Sequence, residues 1–336
     1  MSKVYIHGLG AVSPAGWGVP ALRAAVSQNQ PLPVQSLPRP GWDKKLSVRS
    51  VPPPLPRPAF FSHPRLRRAA TMSQYTIAAA LEAIGPDAAL VQSGALRLGV
   101  IVTTMAGSVT YSRRFYEEVL GNPAAASPLL FPETVFNAPA SHLAACLNSP
   151  GINYTLVGDE GSFLQGLALA AHWLADDSVA ACVVVGTEEP DWIVADAVRL
   201  FQKSAIHTSG AGALYLKKPS PARTALSAIT DAFTFTHGQN PAAAARAMWR
   251  QLGPGTPAEL LCDSATAPTQ RPDWPGPRLS PKSILGEAFN ASAAWQCVLA
   301  CDQIATGSVP AASVSVVGSS QQAIGARFSQ SPVTPL

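Results

Sequence analysis

The residue with the clearest chemical placement in this sequence is Glu160. It lies in the run Gly158-Asp159-Glu160-Gly161-Ser162, after the β-formers of Gly151 to Val157 and before an apolar, small-residue stretch from Phe163 to Leu174. A second β-branched run follows from Val179 to Val185. The pattern reads as strand, sharp turn, helix, strand. A side chain on such an elbow sits at a helix N-terminus, where free N–H groups and the helix dipole favour negative charge. Enzymes put nucleophiles there; this chain puts a glutamate. The five cysteines, Cys146, Cys182, Cys262, Cys297 and Cys301, show no metal-type spacing with histidine and read as buried small hydrophobes in a reducing compartment. Cys262 closes an apolar strand rather than topping an elbow, so it reads as core.

The elements that must position this elbow can be followed along the chain. The 336 residues are 47% hydrophobic and 13% charged, against about a quarter charged in an ordinary soluble domain, which points to surface covered by a partner. The net charge of +4 comes without any nucleic-acid-binding pattern. No signal peptide precedes Val4 and the apolar strands are far too short to cross a bilayer, so a cytoplasmic protein with neither nucleic acid nor membrane as partner is expected. A strand from Lys3 to His7 enters a Gly8–Gly16 segment, read as a loop because Pro14 and Gly16 interrupt it; Ser13 stands where a dinucleotide fingerprint needs glycine, which excludes that cofactor motif. The stretch 31–58 reads as a proline-rich surface loop, and Arg65 to Ile84 as a helix opening on the basic cluster Arg65, Arg67 and Arg68. Buried strand character returns at Arg97 to Thr103, helices at Tyr111 to Leu120 and Ala140 to Leu147. After a break at Lys217 to Pro221 come strands over Leu226 to Phe235, a helix from Pro241 to Leu252, a Pro-rich hairpin-like stretch from Pro268 to Pro281, a helix from Ala288 to Ile304, and strands at Ala312 to Val317 and Ala323 to Phe328.

In this order the segments resemble the β-ketoacyl synthases of the thiolase-like superfamily. The family's Gly-Leu-Gly-x-Val-Ser/Thr-Pro-x-Gly opening is matched by Gly8 to Gly16, and its Val-Gly-Val strand by Leu98-Gly-Val-Ile101. Its Asn-x-x-x-x-His/Ala helix entry is matched by Asn137 to His142, its Gly-Ala-Gly-Ala-Leu strand by Ser209 to Leu216, and its Lys-Ser-x-x-Gly motif by Lys282 to Gly286. The matches are colinear across nearly the whole chain. The resemblance implies an α/β, thiolase-like fold of two duplicated β/α lobes in a layered α-β-α-β-α arrangement. The lobes would be 1–220, carrying the loop 31–58, and a shortened 221–336.

The same resemblance implies a cysteine at the elbow and two histidines on loops, which together perform the family's condensation. Here Glu160 stands at the cysteine position. Asp263 stands at the histidine of a His-Gly-Thr-Gly-Thr-Pro loop, matched by Asp263 to Pro268, and Glu287 at the histidine after Lys-Ser-x-x-Gly. His7, His63, His142, His172, His207 and His237 match neither histidine, and His172 reads as a packing or surface residue. The implied function is that of a catalytically inactive chain-length-factor-like subunit of a type II polyketide synthase, resembling the partner subunits of aryl polyene systems. It would pair with an active ketosynthase as a heterodimer and act around acyl carrier protein, with no cofactor and no metal. Thr134, Val135, Phe136 and Asn137 correspond to the wall that reaches the tunnel and dimer interface. Arg65, Arg67, Arg68, Arg113 and Arg114 are candidates for docking the acidic carrier. The alternative is an acyl- or malonyl-carrier enzyme of changed chemistry, a decarboxylase or hydrolase, in which three neighbouring acids raise one another's pKa. Against it stands Lys282, able to neutralise them.

Overall fold

A computed structural model describes residues 4–202, 205–218, 222, 224–236, 239–264 and 273–331. Lys3, Pro219, Ser220, Pro221, His237 and positions 265–272, on which parts of the sequence reading fall, lie outside these residues. The first half of the chain holds β1 (Val4–Ser13), β2 (Gly16–Trp17), α1 (Val19–Ser27), β3 (Gln35–Arg39), β4 (Trp42–Arg49), α2 (Thr71–Ile84), α3 (Asp87–Gln92), β5 (Leu98–Thr104), α4 (Val109–Gly121), α5 (Phe131–Thr134), α6 (Ala138–Cys146) and β6 (Asn153–Val157). It continues with α7 (Ser162–Ala175), β7 (Ala181–Glu188), α8 (Trp192–Phe201), β8 (His207–Thr208) and β9 (Gly210–Lys217). The second half holds β10 (Thr224–Ile229), β11 (Phe233–Thr234), α9 (Ala242–Leu252), β12 (Glu259–Asp263), β13 (Arg278–Leu279), α10 (Pro281–Leu285), α11 (Phe289–Ala305), β14 (Ala311–Val317) and β15 (Gln322–Gln330).

Strand order exposes an internal repeat that residue identity hides. The first five main strands lie in the order β6-β5-β7-β9-β1 and the second five in the order β13-β12-β14-β15-β10. Ranked by chain position within each set, both read 3-2-4-5-1. In both, the first two pairings are parallel and the last two antiparallel. The sets join edge to edge through antiparallel pairing of β1 with β10. In this scheme α7 and α11 are counterparts, each leading from the third strand of its set towards the fourth.

Burial then stacks the layers. The central core combines Ile101, Val184 and Leu214 of the first sheet with Cys262, Val314 and Ala326 of the second, around Phe163 and Leu167 of α7 and Trp295 and Val298 of α11. The outer face of the first sheet is covered by α2 and α6, through Ile77, Ala80 and Leu143. Helix α9 covers the second, through Met248 against Val317 and Ala323. The result is α-β-α-β-α. Helix α11 is buried on nearly every side, consistent with a sequence in which apolar and small residues are spread around the helix rather than confined to one stripe, interrupted by Asn290, Gln296 and Asp302. Its Trp295 indole donates to the carbonyls of Val12 and Ala211 at 3.2 and 2.9 Å, pinning it to the first sheet.

Three sequence expectations change. The Gly8–Gly16 segment is not a loop at first: β1 runs on through Gly8 and Gly10 to Ser13. A Cβ on Gly10 would overlap the carbonyl oxygen of Ala79, and one on Gly8 that of Ala83. These glycines therefore let α2 lie directly on the strand. The stretch 31–58 is not wholly irregular, because β3 and β4 form a hairpin with Arg39 opposite Trp42 and a Pro40-Gly41 turn. Gly41 takes φ +78, and Leu46 and Val48 turn inward by alternation while proline sits on the edge strand β3. The predicted helix from Arg65 begins only at Thr71; Arg65 belongs to a short 3-10 turn, Pro64–Leu66. Gly10→Ala should cost about 1–3 kcal/mol by forcing α2 off β1, measured as a lowered urea midpoint with an unchanged slope.

Candidate functional site

Glu160 and Glu287 occupy matching places in the two repeats. Each immediately precedes the N-cap of its helix, Gly161 for α7 and Ala288 for α11. Both line one polar pocket of 210 Å³ together with Lys282 from α10. The Lys282 Nζ lies 2.6 Å from Glu287 Oε2 and 3.5 Å from Glu160 Oε1. Glu287 Oε1 also accepts from the backbone N–H of Phe289 at 2.8 Å, satisfying a free donor at the start of α11. Glu160 Oε2 accepts from the N–H and hydroxyl of Ser319, at 2.9 and 3.2 Å. Burial pushes the Glu160 carboxyl above its ordinary range, Lys282 pulls it back, and Glu287 adds to the rise. Burial opposes the charge on Lys282 as well, yet Glu287 and Glu160 together hold its pKa above the ordinary value.

Asp263 does not join this cluster. It closes β12, is buried, and accepts from the Ser280 hydroxyl at 2.8 Å, with Arg278 Nη1 at 3.8 Å. Its neighbour Ser264, not Asp263, lines the polar pocket. The loop from 265 to 268 lies outside the described residues. Two of the three expected acids therefore meet and the third is turned aside.

Beside the polar pocket lies an apolar cavity of 480 Å³, bounded by Met105, Val198, Phe201, Phe235 and Phe289 among others. Met105 is placed there by Glu188, whose carboxylate accepts from the N–H groups of Met105 and Ala106 at 2.6 and 3.2 Å. Burial pushes the Glu188 carboxyl up to about 8. Sequence reasoning missed Glu188, Asp159 and Ser319. The only available signals were acids at the end of an apolar strand and beside Glu160, and a Gly-Ser-Ser turn between two strands.

The remaining candidates fall elsewhere. Thr134 ends α5, and Val135 to Asn137 lead into α6; the exposed Phe136 ring lies over Gly107. Arg65, Arg67 and Arg68 are exposed. Arg113 is paired with Asp191 and Glu117, and Arg114 with Glu118, so neither is an uncompensated cation. His142 contacts Glu133 at 2.7 Å, exposed His172 lies 3.7 Å from Asp176, and burial pushes His207 down to about 4. No described histidine or cysteine lines the polar pocket. Cys182, Cys262, Cys297 and Cys301 are buried, as expected of core residues, whereas Cys146 at the end of α6 is only half-buried. Among the described residues no cluster suited to a metal is found, and no helix is long and apolar enough to cross a membrane.

Sequence comparison finds no matching family model and no matching curated protein. Structural comparison does find chains of the same overall architecture. The chain is similar to the ishigamide ketosynthase/chain length factor, with a TM-score of 0.76 at 19% identity over 98% of this chain and 99% of that one. It is equally similar, at 0.76 and 14% identity over 98% and 99%, to a structure of a type II polyketide synthase acyl-carrier protein in complex with its ketosynthase. A β-ketoacyl synthase from Burkholderia phymatum STM815 gives 0.78 at 14% identity over 98% and 100%. The chain has the thiolase-like ketosynthase fold. Within that ketosynthase fold, the two helices that begin at the polar pocket carry carboxylates, and the ammonium between them balances one.

That balance makes two predictions. Lys282→Met leaves Glu160 and Glu287 buried without a counter-charge and should destabilise the protein by about 3–5 kcal/mol, read by chemical denaturation. For Glu160, a carboxyl whose folded pKa exceeds its unfolded value holds its proton more tightly when native. Its contribution is then fullest below the ordinary carboxyl pKa and is lost as pH rises through the folded value. Glu160→Gln should therefore flatten the decline of melting temperature with rising pH on the alkaline side of the ordinary carboxyl range.

Proposed function

We propose that this chain is a non-condensing ketosynthase-like subunit of the chain-length-factor type, acting beside an active ketosynthase in polyketide or polyene chain elongation. One observation carries the proposal: the elbow holds a buried glutamate tied to Lys282 and Ser319, with no thiol or imidazole among the described residues of the pocket it faces. A condensing reaction needs a nucleophile to hold the acyl chain, and a carboxylate already engaged by an ammonium and two donors is a poor one. The scaffold remains while its reactive groups do not.

The surface supports a partner. Strand β6 is the edge of its sheet, and Ile152, Tyr154 and Val157 beside or on it are exposed. Phe131 and Phe136 add exposed aromatic surface. An edge strand with exposed apolar side chains is a template for pairing with another chain. We assign that face to the ketosynthase partner, with residues 134–137 reaching its tunnel, and carrier docking to Arg65, Arg67 and Arg68. The lobe division near residue 220 is proposed from the repeat, and the aryl polyene assignment from the compactness of the second lobe.

The enzyme reading, with carboxylates as catalysts, is weakened because Asp263 is turned aside and Lys282 offsets charge at the other two. Co-expression with a candidate synthase tests the assignment. The pair should co-elute in size-exclusion chromatography, Val157→Lys should abolish co-elution, and Phe136→Ala should keep it while shifting product length. Turnover of malonyl-carrier protein by the purified chain alone, lost in Glu160→Gln, would reverse the conclusion.

A further inference from the structure

None of the thirteen residues of α4 is buried, yet the acids that hold the helix are. Strand β7 ends on Glu188, and Glu189 and Asp191 follow, all three buried. Glu188 accepts from the N–H groups of Met105 and Ala106 at 2.6 and 3.2 Å, where the chain leaves β5 for α4. Glu189 Oε2 accepts from the Thr110 N–H at 3.0 Å, in the first turn of the helix. Asp191 Oδ2 accepts from the Thr110 hydroxyl and from Arg113 Nη2, each at 3.3 Å. Further along, in α5, Glu133 is buried too. It meets His142 Nε2 at 2.7 Å and accepts from the Ala70 N–H at 3.2 Å.

The other contacts of α4 are lighter or lie between α4 and the segment that follows it. Val109 packs at the edge of a cluster of Val194, Val198 and Phe289. The Tyr111 hydroxyl donates to the Arg68 carbonyl at 2.6 Å, and the Ser112 hydroxyl to that of Thr134 at 3.4 Å. Phe115 meets Phe131 with ring centroids 5.8 Å apart, and Glu118 accepts from the Ser127 N–H at 3.0 Å. The start of α4 is thus fastened to the sheet chiefly by buried carboxylates.

Glu189 is faced by Asp191 beyond β7, Glu133 of α5, Tyr75 of α2 and Tyr111 of α4, while its backbone faces His207 of β8. The cations in reach are Arg113, which Asp191 shares with Glu117, and His142 when protonated, on Glu133. We propose that α4 is a pH-responsive flap, clamped to the end of β7 while Glu189 carries a proton and loosened when Glu189 ionises among its fellow acids. Burial pushes the Glu189 carboxyl up to about 7 against the pull of the Thr110 N–H, and Asp191 and Glu133 add to the rise. A carboxyl raised in the folded state stabilises fully below its ordinary pKa and loses that contribution as pH rises through the folded value. The clamp therefore weakens from neutral pH upward. Burial holds Glu188 higher still, at about 8, so the Met105–Ala106 bonds are affected after the Thr110 bond. A helix with no buried side chain, held by such bonds, opens locally before the sheet does. The flap is a property of this chain and does not rest on a synthase partner.

Hydrogen exchange of the full-length chain at about pH 6 and about pH 8.5, read by mass spectrometry with exchange times scaled to the free amide rate, tests the flap. Between these values peptides covering α4 should lose protection about tenfold or more, while peptides from β5 and α11 keep theirs. Glu189→Gln keeps an acceptor for the Thr110 N–H but cannot ionise, so α4 should hold most of its protection at the higher pH. Protection of α4 that does not respond to pH in the wild type, or that falls equally in β5 and α11, overturns the proposal. So does an equal fall of α4 in Glu189→Gln. Should Glu189→Gln fail to fold, the wild-type comparison decides alone.

Discussion

Two carboxylates and one ammonium, buried where α7 and α11 begin, set what this site can do. Helix N-termini favour negative charge, so each glutamate is tolerated at its own position. Placed in one pocket they repel, and Lys282 is the cation that lies between them. An arrangement of this kind is stable only while its groups are occupied with one another. Each glutamate is thereby engaged at the start of its helix.

The pocket exists because the fold is duplicated. The two sets of strands share one order and one pattern of sense, so their central helices start at equivalent points and face each other across a common core. Contacts that tie the repeats fall along this seam. The Trp295 indole reaches carbonyls of β1 and β9, and the β14–β15 turn is bound by the acids of the α7 elbow. A change at the seam is therefore felt by both repeats, whereas α9 and α2 can report only on their own outer layers.

The main elements could be read from periodicity because they bury continuous apolar surface. Strand β5 and helix α11 are examples: each carries mainly apolar or small residues and is long enough to show its type. Where the reading failed, a local signal was overruled by an interaction distant in sequence. Gly8 and Gly10 look like loop glycines until α2 is laid on them. The prolines before residue 58 look like an irregular loop until the Pro40-Gly41 turn and the alternation of Leu46 and Val48 make a hairpin that can pair with β8. The helix expected at Arg65 starts later, where the chain meets the first sheet.

By itself the sequence determined that a glutamate stands on the elbow, because residue type and the strand–turn–helix pattern at 151–174 are local properties. It also determined that the chain is organised as a layered α/β protein, since apolar runs of two periods alternate along it. Only the tertiary structure decided which acids act together. Asp263 lies as close to Lys282 in sequence as many partners do, yet Ser280 and Arg278 draw it aside. Glu160, 122 positions from Lys282, shares its pocket. Electrostatic coupling depends on distance and burial in space, and the chain order carries neither.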